Sequence, residues 1–305
     1  MTSIFSEMVN VDGLVTPISR AVVPAVDRGF LYGDSVYEVF RIQDGVPLFL
    51  SDHFDRLENS ARLIQMRISS SRKELIQQIC RTIKETGATK EQGLYVRCQI
   101  TRGGGPLDLL PPANPTTRYV LIVKEVPVWK PEFYSKGLEM AIPMVRRNPV
   151  NSLDPNIKGG NYLNNILALS EARTMGADDA VLLTREGYIA EASNSNVWFV
   201  INSQLRTPSR GNLRGLTKMH VHRALKSKGM KSEESDIHVD ELSDASECFV
   251  TSATRDVMPC ATLRLEDGNV VEFPEGGGPI TKKTCRTFSA YVQAYVEEHR
   301  NESII

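Results

Sequence analysis

Residues 156–200 read NIKGGNYLNNILALSEARTMGADDAVLLTREGYIAEASNSNVWFV, and this stretch decides the fold. Lys158 follows Pro155 in a loop rich in proline, asparagine and glycine, just ahead of a run in which Leu163, Ile166, Leu167 and Ala172 recur at helical spacing. Three short strand-like runs come next. Residues 180–184 and 197–201 are apolar or β-branched, and residues 188–193 between them carry one carboxylate, Glu191, in an otherwise neutral segment. Loop, helix and strands in this order predict an α/β layer. The lysine supplies an amine able to bond covalently to a carbonyl carbon, and the glutamate supplies an acid for a basic partner.

Toward the N-terminus, residues 1–50 read as strands joined by turns: 21–26 and 36–42 carry β-branched side chains, and Asp44-Gly45 signals a hairpin before 46–50. Ser51 and Asp52 offer an N-cap for a helix with Phe54, Leu57, Ala61 and Ile64 on one stripe, which places Arg56 near its start. A second amphipathic helix spans 71–85 and stops at Gly87, followed by a strand at 94–101. Residues 103–115, with three consecutive glycines and four prolines, are irregular, as is 126–132; a strand lies between them at 118–124. We place the domain boundary in the second irregular segment, giving a small N-terminal domain of 1–125, a connecting loop of 126–132 and a larger domain of 133–305. Past residue 201 the sequence predicts a turn at 208–215, a helix at 217–228, a strand at 247–252 and a last helix at 281–298.

Composition bounds the partners. Among 305 residues, 36 Lys+Arg against 37 Asp+Glu leave a formal charge of −1, so no global field draws the chain to nucleic acid or an anionic membrane. Small molecules are the expected ligands. The cysteines (Cys80, Cys98, Cys248, Cys260 and Cys285) are scattered and never spaced C-x-x-C, which predicts reduced thiols and no metal site. The first residues lack a basic region followed by an apolar run, and no apolar segment nears the roughly 20 residues of a membrane span, so a cytoplasmic protein is expected. No G-x-G-x-x-G follows a strand, which argues against a dinucleotide fold.

Six segments, DRGFLYGDSVYEVFR (27–41), HFDRLENSA (53–61), KGGNYLNN (158–165), EASNSN (191–196), LRGLTK (213–218) and TSATRDVMP (251–259), span nearly the whole chain. In that order they resemble the fold-type IV pyridoxal-phosphate enzymes, which include branched-chain aminotransferases, D-amino-acid aminotransferases and aminodeoxychorismate lyases. The resemblance implies an α/β (α+β) chain with a small α/β sandwich domain and a larger pseudo-barrel α/β domain. It implies pyridoxal 5'-phosphate as cofactor, with Lys158 forming the Schiff base, Glu191 partnering the pyridine nitrogen and Tyr162 contacting the phenolic oxygen. For the phosphate it implies Arg56 of the H-x-x-R-L pattern, the backbone of Leu216 and Thr217, and a Thr254 hydroxyl. The residues support the second of these, since Leu213–Thr217 leads into a helix whose first N–H groups and dipole favour an anion.

Substrate residues follow the same resemblance. Tyr95 and Arg97 match a Y-x-R pattern that holds carboxylates together with the backbone of Ala253 and Thr254, and Tyr32 and Tyr37 fall where the family lines its side-chain pocket. The chain departs from the branched-chain pattern at Tyr37-Glu38-Val39, where F-E-G is usual, and at Ala253, where threonine is usual. Residues 100–103 look like the D-amino-acid or lyase branch, yet that branch's R-x-H pair is absent from 106–109. The expected reaction is transamination between an aliphatic or branched-chain L-amino acid and 2-oxoglutarate. D-amino-acid or (R)-amine transamination, or lyase chemistry, is the alternative. A homodimer or higher homo-oligomer is implied, with residues 103–115 as a lid.

Overall fold

The computed structural model describes residues 5–305. Two compact units share the chain: one holds the chain up to Pro127 together with Ile157–Asn161 and Ala294–Ile305, the other Val128–Asn156 and Tyr162–Gln293. The first changeover falls in the irregular 126–132 segment. The continuous 133–305 domain of the sequence reading needs correction at two places, because hydrogen bonds carry short pieces back to the first unit. Gly160 N donates to Ser35 O at 2.8 Å, and Ile304 N donates to Gly45 O at 3.0 Å.

The first unit is built on a six-stranded sheet of β1 (Met8–Val11), β2 (Leu14–Pro17), β3 (Ser35–Gln43), β4 (Val46–Pro47), β5 (Leu94–Thr101) and β6 (Arg118–Glu125). Its order is β2-β1-β6-β5-β3-β4 and every pairing is antiparallel. Three helices accompany it: α1 (Arg28–Tyr32), α2 (Leu50–Leu63) and α3 (Arg72–Thr86). Phe40, Ile42, Leu57, Ile79, Ile83 and Leu94 are among the side chains that fill the core, each at most 2% exposed and each contributing about 1.5–3 kcal/mol by leaving water.

Local rules set the element ends. Ser71 caps α3 in a reciprocal box with Glu74, and Gly87 closes it in the left-handed region at φ 70°. Asp44 and Gly45, at φ 50° and 79°, make the predicted hairpin. Strand β4 lasts only two residues, because the chain turns at Phe49 (φ 55°) and α2 begins at Leu50 without a side-chain cap. Ser51 therefore lies inside the first turn and is not the cap its identity suggests. Residues 21–26 form no strand despite their β-branched side chains.

The second unit holds nine strands: β7 (Leu138–Ala141), β8 (Asp179–Leu183), β9 (Ile189–Ala192), β10 (Asn196–Ile201), β11 (Gln204–Pro208), β12 (Glu233–Ser235), β13 (Ala245–Ser252), β14 (Asp256–Arg264) and β15 (Val270–Glu272). They run β12-β11-β10-β13-β14-β7-β8-β9, with β15 on β14. Pairs β11–β12, β14–β7 and β7–β8 are parallel, the rest antiparallel. Helices α4 (Pro131–Ser135), α5 (Leu163–Thr174), α6 (Leu216–Ser227) and α7 (Pro279–Glu298) complete the chain, α5 serving as crossover between parallel β7 and β8. Among the described residues no helix is long and apolar enough to cross a membrane.

Candidate active site

Lys158 is placed by backbone contacts to β3 and α2. Its N–H donates to Ser60 Oγ at 3.2 Å and its carbonyl accepts from Tyr37 N at 2.9 Å. Gly159 bridges to Val36, and a Cβ on Gly160 would run into the Ser35 hydroxyl. The two glycines of KGG thus let the lysine-bearing strip lie against a strand.

Half-buried Lys158 carries its amino nitrogen to 4.5 Å from the centre of the Tyr37 ring, and the Arg97 guanidinium carbon lies 3.7 Å from the same ring. Tyr37 is 6% exposed. Register explains the grouping: Tyr37 opposes Gln99, Val39 opposes Arg97 and Arg41 opposes Tyr95, so all six lie on one face of the β3–β5 pair. Arg97 Nε donates to Gln99 Oε1 at 3.0 Å, and Gln99 donates on to Ser35 Oγ at 3.0 Å. Burial raises the Tyr95 phenol above its ordinary value despite the opposing pull of Arg97.

The opposite face of β3 holds a charge that the sequence reading overlooked. Glu38 is 1% exposed and takes both Arg56 Nε, at 2.7 Å on Oε1, and Arg56 Nη2, at 2.8 Å on Oε2; His53 Nδ1 lies 2.6 Å from Oε2. Burial pushes the Glu38 carboxyl upward, yet Arg56 and His53 outweigh it and hold it at about 2. Burial depresses His53, with Glu38 pulling the other way. The signal was present: Val36, Glu38, Phe40 and Ile42 share a parity, and an acid among core positions requires a partner. Tyr32 ends α1, 38% exposed, with the Arg28 guanidinium carbon 4.9 Å from its ring centre.

In the second unit Glu191 is 6% exposed on β9. Its Oε2 accepts from Leu213 N at 3.0 Å and its Oε1 pairs with Arg147 Nη2 at 2.9 Å. Arg147 also escaped the sequence reading, since it sits in the irregular strip after β7 with no periodicity to mark it. Three residues past Leu213, α6 opens at Leu216 behind Gly215, which provides no side-chain cap. A Cβ on Gly215 would collide with the Asn196 side-chain oxygen, so a larger residue would have to displace Asn196, whose amide donates to Leu213 O at 2.9 Å. Helix α6 therefore presents the backbone N–H groups of Leu216 and Thr217 with no capping side chain over them, a donor set suited to phosphate. Buried Lys218 braces this turn, donating to Asn212 Oδ1 at 3.0 Å and Glu234 Oε2 at 2.9 Å.

Tyr162 stands at the N-cap of α5. Ala253 and Thr254 form the turn between β13 and β14, pinned from behind: Trp129 Nε1 donates to Thr254 O at 2.9 Å, and the guanidinium of Arg255, 4.6 Å from the Trp129 ring centre, pairs with Asp179 at 2.6 Å. The structure brings Tyr37, Tyr95, Arg97, Lys158 and Arg56 into the first unit, and Tyr162, Glu191, Leu216, Thr217, Ala253 and Thr254 into the second.

Comparison with known proteins identifies the family. The sequence pattern described as amino-transferase class IV matches residues 35–263. A putative branched-chain-amino-acid aminotransferase of Methanocaldococcus jannaschii is 33% identical over 270 residues, 88% of this chain and 90% of the relative. A D-alanine aminotransferase of Bacillus licheniformis is 31% identical over 273 residues, 89% and 92% of the two chains. The crystal structure of Escherichia coli branched-chain amino acid aminotransferase matches with a TM-score of 0.85 at 25% identity, over 93% of this chain and 94% of that one. The chain belongs to the class IV aminotransferases and is a pyridoxal-phosphate-dependent transferase of amino groups with the fold-type IV architecture.

Proposed function

We propose that the protein moves an amino group between an aliphatic or branched-chain L-amino acid and 2-oxoglutarate. The observation that carries this reading is the Tyr37 ring, with the Lys158 amine 4.5 Å and the Arg97 guanidinium 3.7 Å from its centre. One face thereby offers a reactive amine, aromatic surface for an aliphatic side chain and a cation for a carboxylate.

The residues fit the cofactor. Glu191, buried and backed by Arg147, suits a protonated ring nitrogen; the opening of α6 and Arg56 suit a phosphate; Tyr162 suits the phenolic oxygen; and the Thr254 hydroxyl adds a phosphate donor. When bound, pyridoxal phosphate supplies an aldehyde and a ring that withdraws electrons from the carbon losing its proton. Lys158 Nζ takes the proton from the substrate α-carbon and returns it on the other side of the exchange. Glu191 keeps the ring nitrogen protonated. Arg97 and Tyr95, with the backbone N–H groups of Ala253 and Thr254, orient substrate carboxylates, and Tyr37 and Tyr32 shape the aliphatic subsite. A homodimer completes the assembly.

The D-alanine aminotransferase likeness keeps D-amino-acid transfer as the second reading. Against it, Arg102 of the branch-like Ile100–Gly103 strip is held by Asp34 at 2.7 Å and by the carbonyls of Ile64 and Gln65, which gives that arginine a structural task. Holoenzyme assayed against L- and D-amino acids, (R)- and (S)-1-phenylethylamine and aminodeoxychorismate, with and without 2-oxoglutarate, tests the assignment. Turnover of L-leucine, L-isoleucine or L-valine that requires the keto acid is expected. A preference for D-amino acids, or pyruvate release without an acceptor, would overturn it.

A further inference from the structure

Glu191 is the acid that the proposed reaction needs, and its charge depends on what surrounds it. The carboxylate sits on β9 in a run of four buried residues, where an unaccompanied negative charge would be driven to take a proton. Leu213 N supplies one hydrogen bond. A second partner is Arg147, whose Nη2 lies 2.9 Å from Oε1, with side chains only 12% and 8% exposed.

Arg147 is itself fixed in place. Its backbone N donates to Leu183 O at 2.8 Å, which ties the strip after β7 to the end of β8. Asn164 on α5 clamps the residues on either side, donating to Arg146 O at 2.8 Å and accepting from Asn148 N at 3.1 Å; its Oδ1 also lies 3.3 Å from Arg147 Nη1. The guanidinium is thus aimed at Glu191 by a strand edge and a helix side chain.

Resting on the reading of Glu191 as the ring-nitrogen partner, we propose that Arg147 is the positioning residue that keeps Glu191 ionised and correctly turned, so that the proton shared by Glu191 and the pyridine nitrogen would stay on the ring. The guanidinium cannot accept a proton and remains charged at any working pH, so it stabilises the carboxylate form without competing for the pyridine nitrogen. Its effect reaches the cofactor only through Glu191. A brace that merely held the loop would act whether or not residue 191 carried charge.

That difference defines the experiment. Arg147→Met, Arg147→Gln and Arg147→Lys are made in the wild-type chain and in a Glu191→Gln chain. For each, kcat and KM for the amino donor, the dissociation constant of pyridoxal phosphate from apoenzyme, and the visible band of the bound cofactor are measured. Loss of a charge-assisted contact predicts a fall in kcat on the order of ten- to a hundredfold for the methionine and glutamine variants, little change in KM, weaker cofactor binding and a displaced band. Lysine should restore most of the loss. In the Glu191→Gln background Arg147→Met and Arg147→Gln should cost less than about a further twofold. An equal loss in both backgrounds would overturn the proposal, as would failure of lysine to rescue. The glutamine variant keeps a donor toward Asn164, so misfolding of the methionine variant leaves the comparison intact. If Glu191→Gln alone left cofactor affinity and kcat at wild-type values, the reading of Glu191 would fail first and take the proposal with it.

Discussion

Replacing Glu38 with glutamine should destabilise the first unit by about 3 kcal/mol at neutral pH, and the loss should fade in acid. The folded carboxyl titrates at about 2 where its ordinary value is 4.5, a difference that converts to about 3 kcal/mol of interaction favouring the charged form. Removing one partner of a buried pair typically costs about 3–5 kcal/mol, which brackets the figure. Because the folded value is depressed, the stabilisation is complete above the unfolded pKa of 4.5 and disappears as pH falls toward 2. About half should remain near pH 3. Burial depresses His53 while Glu38 pulls the other way, so His53 titrates differently in the variant, and the two chains are best compared in a His53→Gln background, where the pH dependence of the difference belongs to Glu38. Both tryptophans, Trp129 and Trp198, lie in the second unit, so urea unfolding is best followed by hydrogen exchange of β3 and β5 peptides. A loss below 1 kcal/mol at pH 7, or one that does not shrink between pH 6 and pH 3, would refute the argument.

Borohydride reduction of holoenzyme followed by tryptic mapping should place the adduct on Lys158, and Lys158→Ala should abolish turnover with the circular dichroism unchanged; an adduct on another lysine ends the assignment. Arg97→Leu should lower kcat/KM for 2-oxoglutarate about ten- to a hundredfold while sparing the L-leucine half-reaction, and equal losses in single-turnover assays would show an arginine with a structural task only. Gly160→Ala, whose new Cβ meets the Ser35 hydroxyl, should cost about 1–3 kcal/mol and weaken cofactor retention, with partial recovery in the Ser35→Ala double variant; a single variant as stable as wild type would show that the KGG strip can shift.

What the sequence revealed depended on whether the determining interaction was local. Helix α3 and strand β5 could be read to within a residue, because Ser71, Glu74 and Gly87 fix one and strict alternation fixes the other. Helix α2 began early because its start is set by Phe49 turning left-handed against the core, a tertiary event that the good caps Ser51 and Asp52 cannot reveal. Strand β4 was read as 46–50 and ends after two residues where the chain turns into α2, and strands β11, β12, β14 and β15 went unread because short runs with mixed polarity carry little periodic signal. In the candidate site, Lys158 and Glu191 stood out as motif residues. Glu38 could be recognised as a buried acid by its parity with Val36, Phe40 and Ile42, but not its partner Arg56 18 residues on, and Arg147 was hidden altogether because an ion pair across 44 residues leaves no trace in spacing.

Helix α5 shows a different limit, and it leads to a prediction about assembly. The apolar period read over Leu163, Ile166, Leu167 and Ala172 mixes two faces: Leu163, Ile166 and Leu167 are 61%, 58% and 52% exposed, while Ala172 lies inward with Asn165 and Ala168. Small residues win the inner face because Ala168 and Ala172 pack against Ala141, Ala180 and Leu182, where a leucine would hold the helix off the sheet. Each large side chain left in water forgoes part of the roughly 1.5–3 kcal/mol that burial provides, so three in a row at i, i+3 and i+4 mark a face that the fold alone does not satisfy. We expect a second copy of the chain to cover it. Ile166→Glu should then leave the monomer fold intact by circular dichroism, since the residue makes no core contact, but shift sedimentation toward a single chain of 34.0 kDa. If wild type already sediments at that mass while fully active, or if Ile166→Glu assembles as wild type does, the exposed stripe is ordinary surface and another face of the chain must carry the dimer.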